Sequence, residues 1–114
     1  MSQFDLLLIG HFIGDFLLQT SWMAQYKSTK WIPLLTHVTV YTTIVSLFGF
    51  FSGQISLLGI AIIFLGHVVL DRKTFVTFWV KNIQGAKDGP VHNWLSIMVD
   101  QIFHIILLAI AINI

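Results

Sequence analysis

Four apolar stretches, at about 4–23, 31–51, 55–71 and 93–112, occupy most of this 114-residue chain. A bilayer hydrocarbon core of about 30 Å takes roughly 20 apolar residues of helix to cross. Each stretch approaches that length. Hydrophobic residues make up 56% of the chain and charged residues only 10%. A water-soluble domain this small has much surface for its volume and needs more charge to coat it. The expected fold is therefore an all-α membrane protein, a single domain over 1–114 built as a four-helix transmembrane bundle. The first stretch lacks the basic start of a secretory signal and contains Gly10, His11, Gly14 and Asp15, so it reads as a mature helix.

The connections are polar and short, except the third. Residues 25–30 read as a turn, and so do Ser52, Gly53 and Gln54. Pro33 falls in the first turn of the second span, where proline is tolerated. In the third connection, Phe75, Phe78, Trp79 and Ile83 recur near helical spacing. That predicts a short interfacial helix over about 74–84, followed by turn chemistry from Gly85 to Pro90.

Charge placement sets an orientation. Lys27 and Lys30 lie in the first connection; Arg72, Lys73, Lys81 and Lys87 lie in the third; no Lys or Arg lies elsewhere. The positive-inside rule puts both connections in the cytoplasm and both termini outside. Trp22, Trp31, Trp79 and Trp94 flank the same connections, as an aromatic belt would. The expected location is a bacterial inner (cytoplasmic) membrane, crossed several times. Membrane lipid is the expected partner, a homo-oligomer is compatible with the sequence, and no nucleic-acid partner is expected.

The polar residues inside the spans are spaced in pairs. His11 and Asp15, His67 and Asp71, and Asp100 and His104 are each four residues apart, so each pair shares a helix face. His37 adds an imidazole with Tyr41 one turn on. Counted at 1.5 Å per residue, Asp15, His37, His67 and Asp100 fall at similar depths in the cytoplasmic half, with Asp71 shallower. Gly10-His11-x-x-x-Asp15 recurs as Gly66-His67-x-x-x-Asp71, which suggests a tandem pair of helical hairpins. Ionisable groups within a membrane are expensive unless paired, and they mark function by default.

Three carboxylates gathered in one interior volume repel one another unless a cation joins them. There is no cysteine and no glutamate, so any metal site must use imidazole and aspartate. That donor set suits Zn²⁺, Mn²⁺ or Fe²⁺ better than Mg²⁺. The candidate metal ligands are His11, Asp15, His67, Asp71, Asp100 and His104. His37 and Tyr41 are candidates for acid/base or supporting roles. One metal site with supporting residues and two metal sites are both open. Haem ligation by two histidines would leave the aspartates without a role. Gln19 extends the polar face of Asp15, Arg72 and Lys73 are explained by topology, and His92 is expected to be a solvated loop residue.

The leading functional expectation is an intramembrane metal site that hydrolyses a lipid or membrane-embedded substrate. One alternative is transport of a divalent ion or protons, although the outer half offers little beyond Thr42, Thr43 and Ser46. Another is a scaffold in which the polar network only holds helices together.

The motifs His11-x-x-x-Asp15-x-x-x-Gln19, Met23-Ala24, Lys27, His37-x-x-x-Tyr41, His67-x-x-x-Asp71-x-Lys73 and Asp100-Gln101-x-x-His104 resemble a family of short bacterial and phage integral membrane proteins known only as a domain of unknown function. The resemblance covers nearly the whole chain and implies a helical membrane protein with no established activity. More distantly, the His-x-x-x-Asp spacing alone resembles small inner-membrane proteins labelled metal-dependent hydrolases.

Overall fold

A computed structural model describes all residues, Met1–Ile114. The chain is helical throughout, without strands: α1 (Gln3–Phe12), α2 (Ser21–Tyr26), α3 (Trp31–Ser52), α4 (Leu57–Asp71), α5 (Thr74–Phe78) and α6 (Gly89–Ala111). Two π-helical turns extend this set, Ile13–Leu17 after α1 and Trp79–Ile83 after α5.

The four longer helices form a closed ring, in which α1 packs on α3, α3 on α4, α4 on α6, and α6 back on α1. Short connections make successive neighbours antiparallel. Close approach depends on glycine at particular points. A Cβ on Gly14 would lie 3.2 Å from the Cα of Tyr41, and one on Gly59 would lie 2.7 Å from the Ala111 carbonyl oxygen. At one end, Gln3 Nε2 donates to the Gln54 carbonyl oxygen at 3.1 Å. At the other, Arg72 lies over the Trp31 ring at 4.3 Å and Lys27 reaches Asp71. The first and third connections therefore share one end of the bundle.

The first predicted span is corrected. Helix does not run unbroken over 4–23. It passes into the π turn, where the Leu18 N–H donates to the Ile13 carbonyl oxygen at 2.9 Å, and ends there. Thr20 then caps α2 through the Met23 N–H. A π turn inserts one residue per turn and often marks a functional position; this one contains Asp15. The residues predicted as a turn at 25–30 are helical as far as Tyr26.

Two helices, α3 and α6, are long and apolar enough to cross a membrane, while α4 is a shorter apolar helix. The structure thus has two helices of spanning length where four full-length spans are expected. At 1.5 Å per residue α3 measures about 33 Å and α4 only about 22 Å. The last helix begins at Gly89 rather than near 93, with Pro90 in its first turn. His92 is accordingly helical and half-buried, not a solvated loop residue. Its Nδ1 lies 2.9 Å from the Ala86 carbonyl oxygen. The helix predicted over 74–84 is present as α5 and its π turn.

The interior is divided. Leu7, Val45, Ile55, Ile63, Leu108 and Ala111 form an apolar cluster toward the end with the chain termini. The ionisable groups fill the other half. Outside, α1 exposes Phe12, α3 exposes Leu35, Leu47 and Phe50, α4 exposes Leu65 and Val69, and α6 exposes Ile102, Ile106 and Ile110.

Candidate metal centre

Each helix of the ring delivers part of the polar cluster. The π turn after α1 supplies Asp15, α3 supplies His37, α4 supplies His67 and Asp71, and α6 supplies Asp100 and His104; all six are buried. Four atoms converge most tightly. His37 Nε2 lies 3.0 Å from Asp15 Oδ1 and 3.2 Å from Asp71 Oδ2. His67 Nε2 lies 2.7 Å from Asp71 Oδ2, 3.7 Å from Asp15 Oδ1 and 3.1 Å from His37 Nε2. A tetrahedral ion with ligand bonds of about 2.0–2.1 Å separates its donors by about 3.3 Å. The observed spacings scatter around that edge length. Asp15, His37, His67 and Asp71 thus form a buried group that could hold a metal ion, and Asp15, Asp100 and His104 form a second.

The surrounding hydrogen bonds have a forced direction. The Gln101 side chain faces two carboxylates, so its Nε2 donates, to Asp15 Oδ2 at 3.2 Å and to Asp100 Oδ2 at 3.3 Å. Its Oε1 must then accept from His11 Nε2–H at 2.8 Å. That fixes the His11 tautomer, leaving His11 Nδ1 to accept from the Tyr41 hydroxyl at 2.7 Å. Tyr41, His11 and Gln101 form a relay that orients two carboxylates from behind. Supports of this kind hold metal ligands in place.

Two lysines close the end nearest the connections. Lys27 Nζ lies 3.4 Å from Asp71 Oδ2, and Lys73 Nζ lies 3.3 Å from Asp100 Oδ1. Lys27 is itself buried, carried there by α2 after the break in the first helix. Lys73 sits at φ 69°, a left-handed conformation unusual for a side-chain-bearing residue, at the sharp exit from α4.

The structure brings the predicted residues into one network but distributes them differently. His37, expected as an acid/base or supporting residue, lies within the four-donor group. His11, expected among the ligands, lies outside both donor groups and pairs with Tyr41 and Gln101. Asp71, expected to be shallower, shares the layer of His37. Gln19 donates to the Asp15 backbone carbonyl oxygen at 3.0 Å, so it caps the broken helix and leaves the carboxylate alone. Gln101 and Lys27, named in the sequence only as motif residues, join the site here. Gln101 neighbours Asp100 in sequence, outside any i,i+4 pairing, and Lys27 resembles any basic loop residue.

No curated protein and no solved structure matches this chain. One family model covers residues 4–114, under the description "Protein of unknown function (DUF3307)". The chain belongs to that family of unknown function.

Proposed function

We propose that this protein is a multi-pass membrane protein that holds a divalent metal ion between Asp15, His37, His67 and Asp71. The observation that carries the reading is the convergence of two imidazole nitrogens and two carboxylate oxygens, from three parts of the ring, at coordination-edge spacing. Asp71 Oδ1 lacks a hydrogen bond although the side chain is fully buried. Buried polar atoms are normally partnered, and a cation would complete this one. Imidazole and carboxylate without sulfur favour Zn²⁺, Mn²⁺ or Fe²⁺ over Mg²⁺.

The membrane part of the proposal rests on an outer surface of exposed Leu, Ile, Val and Phe on every helix of the ring. All six basic residues lie in the two connections at one end. By the positive-inside rule that end faces the cytoplasm of a bacterial inner membrane, with both termini outside. The α1–π segment and α4 would then be short spans, drawing the bilayer thin or tilting little.

Hydrolysis of a lipid or membrane-embedded substrate is the activity such an ion would serve, by acidifying bound water and polarising an acyl or phosphoryl oxygen. An apolar groove of about 340 Å³ supports a lipid. It is lined by Gly66, Val69, Leu70, Phe75, Phe103 and Leu107, so it lies between α4 and α6, the helices that carry Asp71 and His104. Passage of ions through the bundle fits less well, because the apolar cluster around Leu7, Ile63 and Leu108 fills the other half.

A purely structural network is the second reading, and the charge count favours it. Three carboxylates face two lysines, so a single proton on one histidine would balance the cluster. Elemental analysis of the protein purified in mild detergent separates the two. Stoichiometric Zn, Mn or Fe that disappears in His67→Ala supports the metal site. Folded wild-type protein with no metal, and none taken up from added Zn²⁺ or Mn²⁺, overturns it.

A further inference from the structure

The second donor group has features the first does not need. His104 Nδ1 lies 2.6 Å from the Asp100 backbone carbonyl oxygen. A carbonyl oxygen only accepts, so Nδ1 carries a proton, and in the neutral ring Nε2 is a bare lone pair. This is the tautomer lock that metal-bound histidines commonly show. The Nε2 lone pair points at Asp71 Oδ1, 3.6 Å away. Neither atom has a hydrogen-bond partner, and Asp100 Oδ1 beside them faces only Lys73 Nζ, at 3.3 Å, and His104 Nδ1, at 3.7 Å. In the neutral ring these two acceptors repel in a dry interior unless something positive, a proton on Nε2 or a cation, lies between them.

Asp71 faces both donor groups. Its Oδ2 belongs with His37 and His67, at 3.2 and 2.7 Å, while its Oδ1 belongs with His104. Asp15 likewise appears in both donor groups. Two carboxylates thus serve two adjacent positions. We propose that the cluster is a dinuclear centre: beside the ion held by His37 and His67, a second divalent ion binds His104 Nε2 and Asp100 Oδ1, with Asp71 and Asp15 bridging the pair. This rests on the metal-binding reading above and extends it.

The two positions differ in what they offer. The first offers four protein donors; the second offers fewer terminal donors, which would leave more of its coordination sphere to water or substrate. Paired ions about 3.5–4 Å apart clamp the attacking and leaving oxygens of a hydrolytic displacement. The substrate class that fits is an ester, above all a phosphate ester, whose two oxygens reach both ions. Lys73 stands at the mouth of the second position. Its Nζ, 3.3 Å from Asp100 Oδ1, occupies a carboxylate that the ion would claim, so ion and lysine compete.

The test is stoichiometry. Purified full-length protein in detergent is stripped with chelator and titrated with Zn²⁺ alone or Mn²⁺ alone. Wild type should take up two ions per chain, and the Mn²⁺ form should give the exchange-coupled electron paramagnetic resonance spectrum of a close pair. His104→Ala should retain one ion and lose the coupling, and Asp100→Asn should do the same if the first variant fails to fold. Lys73→Ala should bind the second ion about fivefold more tightly, the loss of a competing part-exposed ion pair of ~1 kcal/mol. One ion per chain in wild type, with an isolated Mn²⁺ signal unchanged by Asp100→Asn, would overturn the dinuclear centre and leave the single-ion reading intact. No ion at all would overturn both.

Discussion

The ring of helices changes character halfway along its length. Toward the chain termini, Leu7 of α1, Val45 of α3, Ile63 of α4 and Leu108 of α6 meet as an aliphatic layer. Toward the connections, the same four helices, α1 through its π turn, meet through Asp15, His37, His67, Asp71, Asp100 and His104. The aliphatic layer needs only shape. The polar layer needs each proton and each charge to be matched, since an unmatched group in a dry interior costs several kcal/mol. If the proposed membrane location holds, the aliphatic layer also gains little from hydrophobicity, because lipid is an equally apolar solvent. Close packing at Gly14 and Gly59 and the polar network would then supply much of the association. A layer that is this hard to build is where function is expected.

If the polar layer faces the cytoplasm, the two ends of the bundle should differ in an all-or-none way. Reporters fused after Ile114 should lie outside the cytoplasm, and one inserted near Lys87 should lie inside. A cytoplasmic reporter at Ile114 would invert the molecule and put the cluster on the other side of the membrane.

The next largest contrast is in stability. Asp71→Ala removes the carboxylate that faces His37, His67, His104 and Lys27, and leaves Lys27 buried without its partner. Breaking a buried pair in this way costs about 3–5 kcal/mol. Ile63→Ala in the aliphatic layer deletes buried methyl groups and costs about 2–5 kcal/mol. The two variants are distinguished by metal, not by magnitude. Ile63→Ala should still be stabilised by added Zn²⁺ or Mn²⁺ in a thermal melt in detergent, and Asp71→Ala should not. An equal metal response in both would detach metal binding from the polar layer.

Ligand linkage gives the third contrast. A metal that binds only the folded protein adds RT ln(1 + [L]/Kd), about 2.7 kcal/mol at a hundredfold excess over Kd. A chelator should lower the melting midpoint of wild type by the corresponding amount, and one divalent metal should restore it. The restoration should be strong near pH 8 and fade by about pH 5. Protons compete for imidazole nitrogens, whose reference pKa is about 6.5, so metal affinity falls as acid rises. A midpoint indifferent to chelator across that range would favour the structural network.

What the sequence revealed differs between the layers for physical reasons. The apolar runs and the i,i+4 pairs were legible because helical period and bilayer thickness are fixed lengths. The break after Leu17 was not, because Phe12, Ile13, Phe16, Leu17 and Leu18 make this stretch apolar on nearly every face, so a one-residue insertion shifts no visible pattern. Its consequence, the approach of buried Lys27 to Asp71, was hidden with it. The relay through Gln101 was hidden for another reason. Gln101 acts between α1 and α6, so its role depends on which helices are neighbours in the ring, and helix spacing along one chain is silent on that. The exchange of places between His11 and His37 has the same origin. Both are histidines at suitable depth, and only the direction imposed by Gln101 separates a proton-bearing support from a candidate donor.

The smallest expected effect concerns the one histidine away from the cluster. His92 lies eight residues before Asp100 on α6, about 12 Å along the helix. It bonds locally, to the Ala86 carbonyl oxygen at 2.9 Å and near Ser96 Oγ at 3.4 Å. His92→Ala removes a bond that ties the start of α6 to the preceding connection, worth about 1 kcal/mol. It leaves all donors of both metal positions in place. Melting should therefore shift down slightly, while metal content, chelator response and pH dependence match wild type. His11→Ala sets the scale on the other side: it holds no proposed metal bond, yet it cuts the relay that orients Asp15 and Asp100, and should weaken metal affinity about 10–100-fold. Side-by-side Zn²⁺ titration of the two variants decides whether a histidine matters here by being a histidine or by where its second nitrogen is tied. Equal loss in both would mean that added metal is held nonspecifically by imidazole, and the division of the bundle into a structural half and a chemical half would fall.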